Sequence, residues 1–232
     1  MPTDAFSVLD DHRVTSVLRR LHDEADRQMP GLLWHYLPSL PKILLGAEIK
    51  FRDADGYYAD KYLALEREQA AFCYATAIAV RARHIVEFGS SFGISTIWLA
   101  AALKAQGRGK VIGTELVPEK ARRAEANLEE AGLADFAEIR VGDARETLSN
   151  LAGEVDLFLN DGFPMLALDM LQRVAPRMRP GAVVLTDNVG TFRANYRDYV
   201  AYLRGPESGF TSVTLPFKSG TEFSVRSARS MD

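Results

Sequence analysis

Acidic and amide side chains follow five short apolar runs, each of which is typical of a β-strand. These residues are Glu87, Glu115, Asp143, Asp161 and the pair Asp187 and Asn188. A single acid after a strand is commonly a turn or helix-capping residue. The carboxyl ends of parallel strands meet at one edge of a sheet, however, and ligands of open α/β sheets bind there. The spacing therefore predicts a polar ligand site at that edge.

The turn after the first strand contains two glycines and leads into a predicted helix near Ser95. Gly89 permits a sharp turn and Gly93 the close approach of a ligand, while the free N–H groups of the helix can bind a carboxylate or a phosphate. The dinucleotide fingerprint G-x-G-x-x-G is absent, because Ser91 stands in place of its second glycine. This absence disfavours a nicotinamide cofactor.

Two of the acids are placed to bind a nucleoside. Glu115 lies 26 residues after Gly89 at the end of the second strand, where a carboxylate can accept hydrogen bonds from both ribose hydroxyls. Asp143 closes the third strand, where its carboxylate could accept from the amine of an adenine ring. Capping of the following helix is the alternative for Asp143.

The elements that would position these residues alternate from residue 84 onward. The predicted strands cover 84–88, 110–114, 137–141, 155–160 and 181–187, and the predicted helices cover 95–105, 118–131 and 165–178. Such alternation predicts βαβ units and a parallel sheet. Two last runs, 210–215 and 221–226, flank a turn with Ser219 and Gly220, which indicates an antiparallel hairpin. The predicted fold is a doubly wound, mostly parallel α/β sheet of seven strands.

We expect two units: a helical cap over residues 1–63 and a ligand-binding domain over residues 64–232. Four apolar residues between Val14 and Leu21 follow helical spacing, and this helix is predicted to end before Met29-Pro30-Gly31. Aromatic residues and further prolines follow, which indicates a folded-over cap rather than strands.

Composition disfavours several classes of protein. Basic residues are scattered and the net charge is −3, so no nucleic-acid partner is expected. The longest apolar stretch, Ile97 to Leu103, is far shorter than the ~20 residues that span a bilayer. The first residues are acidic rather than basic, which disfavours secretion. The lone Cys73 is expected to be a buried, inert thiol on a helix over 64–82. We therefore expect a cytoplasmic protein without a membrane partner.

Six segments together carry a resemblance to a known family. In order they are VEFGSSFGIS, GTEL, VGDA, DLFLNDG, VLTDN and LPFKSGTEFS. This series resembles the class I S-adenosylmethionine-dependent O-methyltransferases, and is most similar to their catechol and caffeoyl-CoA type. The resemblance covers about residues 64–227. It implies a Rossmann-like methyltransferase fold, S-adenosylmethionine as cofactor and a hydroxyl of a small molecule as methyl acceptor.

The resemblance also implies roles for individual residues. The residues implied for the cofactor are Glu87, Gly89, Ser91, Gly93 and Ser95 at its methionine end, Glu115 at its ribose, and Asp143 with Ala144 at its adenine. Asp161, Asp187 and Asn188 match the ligands of a divalent metal, Mg²⁺ or Mn²⁺, and Asp161 is the catalytic candidate. Two carboxylates and an amide oxygen are hard donors that suit Mg²⁺, which supports this assignment independently.

The chain departs from the family at one position. A lysine that acts as base follows the first metal-binding aspartate by three residues in the plant and animal enzymes, whereas Pro164 stands there in this chain. His35, Tyr36 and Lys218 are the distant candidates for a base. Two other functions stay open: an NAD(P)-dependent oxidoreductase, and a non-catalytic sensor or scaffold that binds S-adenosylmethionine. Catechols, other phenols, sugars and polyketide or peptide intermediates remain open as acceptors, and a second copy of the chain as partner.

Overall fold

Seven β-strands form one mixed sheet at the centre of the computed structural model, which describes residues 4–51 and 54–228. The strands are β1 (His84–Phe88), β2 (Lys110–Glu115), β3 (Ala137–Val141), β4 (Val155–Asn160), β5 (Met178–Thr186), β6 (Phe210–Leu215) and β7 (Thr221–Arg226). Their order is β3-β2-β1-β4-β5-β7-β6, and β7 alone runs antiparallel to both of its neighbours. The predicted parallel sheet with a C-terminal antiparallel hairpin is confirmed.

Helices cover both faces of the sheet. They are α1 (His12–Tyr36), α2 (Leu40–Leu44), α3 (Ala54–Tyr57), α4 (Arg67–Ala79), α5 (Ile94–Ala105), α6 (Pro118–Glu130), α7 (Ala144–Thr147), α8 (Ala167–Val174) and α9 (Arg197–Arg204). The first half of α1 packs with α4, α5 and α6 in one core cluster, and α7, α8 and α9 contribute to the other. Adjacent strand residues divide between the clusters, as Ile85 and Val86 do, because side chains alternate across a strand. The sheet is therefore buried on both sides.

Helix α1 is longer than the sequence predicts. It begins at the capping residue Asp11, whose side chain accepts from the backbone N–H groups of Arg13 and Val14, and it runs through Pro30 to Tyr36. The predicted end before Met29 is wrong. Proline lacks the N–H that would bond the carbonyl four residues earlier, but Pro30 and Asp26 are both exposed, so that water can bond this carbonyl instead.

The helix predicted over 165–178 is shorter than expected. Its α-helical part, α8, is flanked by 3-10 turns over Pro164–Leu166 and Ala175–Arg177, and Met178 already belongs to β5. Two prolines, at 164 and 176, start the 3-10 turns, because their fixed φ angle suits a helical start and not a helix interior.

The N-terminal part carries an exposed apolar surface. Large apolar side chains between Met29 and Leu45 stand in solvent, and Trp34 is 77% and Leu45 84% exposed. None of the helices within residues 4–51 and 54–228 has the length and hydropathy that crossing a membrane requires.

Candidate active site

The turn after β1 packs directly against the chain that follows β4. Gly89 has φ +97°, and a Cβ atom there would lie 2.7 Å from the carbonyl oxygen of Asp161. The N–H of Asp161 in turn donates to the carbonyl of Phe88, at 3.0 Å. Only glycine fits this backbone angle and this space. The predicted cofactor turn and the first predicted metal ligand are thus held together.

Gly93 packs against helix α6, whereas the sequence suggests that it lets a ligand approach closely. It is the N-terminal cap of α5 with φ +84°, and a Cβ atom on it would lie 3.1 Å from Cβ of Ala124 in α6. Close packing of these two helices therefore explains the glycine in physical terms.

Glu87 lies fully buried beneath the glycine turn. The hydroxyls of Ser90, at 2.6 Å, and Thr96 donate to its carboxylate. Burial raises the pKa of Glu87 although these bonds oppose it. Its Oε1 atom has no hydrogen-bond partner among the described residues. Ser95 is buried in the first turn of α5, and its predicted role toward the cofactor stays a prediction.

Glu115 ties the end of β2 to the glycine turn. Its carboxylate accepts from the backbone N–H groups of Ser91 and Val117, both at 2.8 Å. Ser91 adopts a positive φ of 50°, and Lys120 donates to its hydroxyl at 3.3 Å. Each carboxylate oxygen has two lone pairs, so Glu115 keeps the capacity to accept from two ribose hydroxyls.

Asp143 is the N-terminal cap of α7. Its side chain accepts from the backbone N–H of Arg145 at 2.9 Å and forms an ion pair with the guanidinium of the same residue. The hydrogen bonds from Arg145 lower the pKa of Asp143 to about 2. Ala144 beside it is buried. The capping alternative considered for Asp143 is therefore realised, at the carboxyl end of β3.

Asp161 and Asp187 lie side by side because their strands are neighbours in register. Asn160 pairs with Thr186 across β4 and β5, and the two aspartates follow directly. Burial, and then the charges of Asp187 and Glu87, raise the pKa of Asp161 well above its usual range. No hydrogen bond to its carboxylate comes from residues 4–51 or 54–228. Two close carboxylates of this kind favour a cation between them.

Asn188 completes the predicted metal set. It adopts a positive φ of 66°, and its Nδ2 atom donates to Oδ2 of Asp187 at 2.9 Å. The amide oxygen of Asn188 accepts no hydrogen bond from the residues that the structure describes. Across the described residues, three or more His, Cys, Asp or Glu side chains nowhere gather as a metal site. This candidate therefore has two carboxylates and depends on an amide for its third ligand.

Two residues beside Asp187 were missed by the sequence analysis. The Ser219 hydroxyl donates to Oδ1 of Asp187 at 2.5 Å, and buried Gln69 in α4 lies near this carboxylate and lowers its pKa. Gln69 Nε2 donates to Oγ1 of Thr221 at 2.8 Å. Burial raises the pKa of Asp187, although Ser219 and Gln69 act in the other direction. The only signal for Ser219 in the sequence was its place in the turn of the last hairpin.

An aromatic wall joins the N-terminal part to the loops after β4 and β5. It consists of Tyr36, Phe51 and Tyr58 from the N-terminal part with Phe163 and Phe192 from the loops after β4 and β5. The Phe51 ring centre lies 6.0 Å from that of Phe163 and 5.2 Å from that of Phe192. Tyr58 contacts Phe163 at 5.8 Å, and Tyr36 contacts Phe192 at 6.0 Å. The N-terminal part therefore covers this end of the sheet.

None of the three distant base candidates hydrogen-bonds the acidic pair. His35 is exposed and stacks on Tyr57 at 3.6 Å. The hydroxyl of Tyr36 bonds that of Tyr58 at 2.6 Å, and burial raises the pKa of Tyr36. Lys218 is 88% exposed beside Glu66. Cys73 is buried, and burial raises the pKa of its thiol, which fits the expectation of an inert residue.

Comparisons with known proteins agree with this geometry. A family model described as a methyltransferase domain matches residues 86–189. The catechol O-methyltransferase of Mycobacterium tuberculosis is 39% identical over 128 residues, which cover 55% of this chain and 57% of the relative. The chain thus spans a little over half the length of that relative. A relative from Mycobacteroides abscessus, whose name assigns it provisionally to the O-methyltransferases, is 30% identical over 59% of this chain and 68% of its own length.

A solved structure supports the same assignment. The O-methyltransferase TomG from Streptomyces achromogenes, involved in tomaymycin synthesis and crystallised with S-adenosylmethionine, has a TM-score of 0.64 at 25% identity. The match covers 78% of this chain and 92% of TomG. The predicted Rossmann-like methyltransferase fold is confirmed. With the strand order, the glycine turn and these relatives together, the chain belongs to the class I S-adenosylmethionine-dependent O-methyltransferases.

Proposed function

We propose that the protein transfers a methyl group from S-adenosylmethionine to a hydroxyl of a catechol or another phenol, with help from a bound divalent cation. The observation that carries this proposal is the pairing of Asp161 and Asp187 beside the amide oxygen of Asn188. The acceptor class is supported by the relatives named catechol O-methyltransferase and by the aromatic wall at the loops after β4 and β5.

The three side chains fit a hard cation. Asp161 offers a carboxylate without a donor among the described residues, close to a second carboxylate, so that a positive charge there would relieve their repulsion. Oxygen donors of this type suit Mg²⁺ or Mn²⁺, which also retain sites for water and substrate. When bound, such a cation lowers the pKa of an acceptor hydroxyl.

The cofactor would lie over the ends of β1 and β2. Glu115 would hold its ribose there, and the backbone of the glycine turn would contact its methionine end. The buried carboxylate of Glu87 would fix the turn from below through Ser90 and Thr96.

The chain contributes mainly alignment and exclusion of water. Methyl transfer to an oxygen nucleophile from a sulfonium neutralises charge, so that the reaction gains most from in-line positioning, for which effective molarities of about 10⁵ M or more are known. Phe51, Phe163 and Phe192 would form an apolar wall for a planar acceptor and keep bulk water out. Because Pro164 replaces the family lysine, acidic phenols should react faster than simple alcohols.

The test is methyl transfer to a panel of catechols, other phenols and sugars, scored by product mass with Mg²⁺ and with a chelator. We expect turnover of catechols with Mg²⁺ or Mn²⁺ and none with the chelator. Asp161→Asn should lower turnover roughly 10²-fold or more and leave the affinity for S-adenosylhomocysteine within a few fold. Asp169→Asn is the matched control, since Asp169 is an acid on α8 that pairs with Arg173.

Each alternative gives a distinct result in this assay or in a parallel measurement of NAD binding. Turnover that resists the chelator would remove the cation from the mechanism. Binding of S-adenosylhomocysteine without turnover of any acceptor would favour the sensor or scaffold. Tight binding of NAD with no response to S-adenosylhomocysteine would favour the oxidoreductase.

A further inference from the structure

The side chain of Asn195 bonds both polar groups of one backbone residue in the N-terminal part. The N–H of Ile49 donates to Oδ1 of Asn195 at 3.1 Å, and Nδ2 of Asn195 donates to the carbonyl of Ile49 at 2.9 Å. The two residues are 146 positions apart in the chain. An amide side chain has one acceptor and one donor group and can satisfy both. Asn195 thus imitates a neighbouring β-strand at a single position.

Backbone hydrogen bonds hold the loop that carries Asn195. It lies in the loop after β5, where the N–H of Phe192 donates to the carbonyl of Asn188 at 2.9 Å and the N–H of Tyr196 to that of Phe192 at 3.1 Å. Tyr196 is only 1% exposed. The same short loop therefore carries a metal-site residue, an aromatic residue of the wall and Asn195 in fixed relation.

Ile49 belongs to residues 37–51, which we call the cap segment. This segment is held weakly. Within the part of the chain that the structure describes, the only hydrogen bonds that join this segment to residues 64–228 are the two from Asn195. Leu44 and Leu45 of the segment are 77% and 84% exposed. Segments with few buried contacts open locally at low free-energy cost.

Phe51 lies close in the chain to these two bonds. Phe51 follows Ile49 by two residues, and its ring packs against Phe163, two residues after Asp161, and against Phe192, in the loop after β5. We propose that Asn195 is a positioning residue for the acceptor, because it holds the cap segment so that Phe51 completes the aromatic wall. This inference rests on the proposed methyl transfer. Asn195 is expected to affect acceptor binding and to leave cofactor binding unchanged, since the predicted cofactor residues lie at or just after the ends of β1, β2 and β3, whereas Asn195 follows β5.

The test combines kinetics with hydrogen exchange on the full chain. Asn195→Ala should raise the KM for a catechol roughly ten-fold, as loss of two ordinary hydrogen bonds predicts, with kcat and the affinity for S-adenosylhomocysteine within two- to three-fold. The amide of Ile49 should exchange about ten-fold faster. Asn195→Asp keeps the acceptor for the Ile49 N–H but loses the donor, and should give an intermediate KM. Asn150→Ala, at an exposed asparagine, is the matched control.

A double variant separates positioning from a general structural role. If Asn195 acts through Phe51, then Asn195→Ala should add little to the KM of Phe51→Ala, because coupled residues are not additive. Additive effects, or an equal loss of S-adenosylhomocysteine affinity in Asn195→Ala, would overturn the proposal. If the wild-type protein methylates no acceptor, the proposed function fails. The exchange of Ile49 still decides whether Asn195 holds the segment, and unchanged exchange in Asn195→Ala would overturn it.

Discussion

The Ser219 hydroxyl donates a 2.5 Å hydrogen bond to Oδ1 of Asp187, so the turn of the last hairpin reaches the carboxylate that follows β5. Two close contacts fix this turn. The N–H of Gly190 donates to the carbonyl of Ser219 at 2.9 Å, and a Cβ atom on Gly220 would lie 2.7 Å from the Cα of Gly190. The antiparallel hairpin therefore orients one predicted metal ligand, although it lies outside the parallel part of the sheet.

Removal of this hydroxyl should weaken cation binding. Asp187 in Ser219→Ala would lose a donor that fixes one of its oxygens, and loss of such an outer contact typically costs 10- to 100-fold in metal affinity. We expect about a ten-fold weaker affinity for Mn²⁺, measured by electron paramagnetic resonance, and unchanged affinity for S-adenosylhomocysteine. Thr191→Val is the control, because Thr191 bonds the carbonyl of Ser219 but not Asp187. Equal Mn²⁺ affinity in both variants would contradict the role of Ser219.

Replacement of Glu115 should weaken the cofactor and not the cation. Glu115→Gln loses the charge and one of the acceptors for the N–H groups of Ser91 and Val117. Charge-assisted hydrogen bonds contribute about 1.5–3 kcal/mol, so we expect S-adenosylhomocysteine to bind roughly 10- to 100-fold more weakly by calorimetry. Glu119→Gln, at an acid paired with Arg122 on α6, should bind as the wild-type protein does. An unchanged affinity of Glu115→Gln for S-adenosylhomocysteine would show that Glu115 does not bind the ribose.

The sheet and its acidic edge could be predicted because they depend on local patterns. β-branched runs that alternate with helical segments determine a parallel sheet, and the carboxyl ends of such strands share one edge. Asp161 and Asp187 therefore had to be neighbours once β4 and β5 were adjacent. The neighbours of Asp187 could not be predicted in this way. Gln69 and Thr221 are 152 residues apart, and only the packing of α4 on the hairpin brings them together.

The contacts of the N-terminal part could not be predicted from the sequence. Aromatic residues and prolines predicted a folded-over cap, but they do not specify its partners. The contact of Phe51 with Phe192 and the bonds between Ile49 and Asn195 join segments far apart in sequence. The extent of α1 was also misjudged, because a proline on an exposed helix face costs less than one that leaves a buried carbonyl without a partner.

Two glycines with similar backbone angles should respond differently to alanine. Gly89 and Gly107 have φ of +97° and +70°, but a Cβ atom would meet the Asp161 carbonyl at 2.7 Å at Gly89 and nothing within 4 Å at Gly107. Gly107→Ala should cost about 1 kcal/mol from backbone strain alone. Gly89→Ala should cost at least about 2 kcal/mol more, because backbone must shift. Urea unfolding measures both, and equal losses of stability would show that the contact with Asp161 is loose.

The pH dependence of stability should depend on His22. This residue is 2% exposed, and Trp98 Nε1 donates to its Nε2 at 3.3 Å. Burial, and then the positive charge of Arg67, lower the pKa of His22 to about 4, although Asp23 and Asp26 act in the other direction. A histidine in the unfolded chain takes up its proton near pH 6.5. Between pH 6.5 and 4 the unfolded state therefore binds more protons, and stability falls as the pH falls.

The size of this loss of stability follows from the shift in the pKa of His22. Since one pKa unit corresponds to about 1.36 kcal/mol, the loss between pH 6.5 and 4 should approach about 3 kcal/mol. Urea unfolding at several pH values would measure it as the difference between the wild-type protein and His22→Gln, which cannot take up a proton but can still accept from Trp98. His22→Phe should remove the same pH dependence and be less stable at every pH, because it leaves the Trp98 N–H unpaired. If the wild-type and His22→Gln proteins lose stability in parallel as the pH falls, His22 is not the group that titrates.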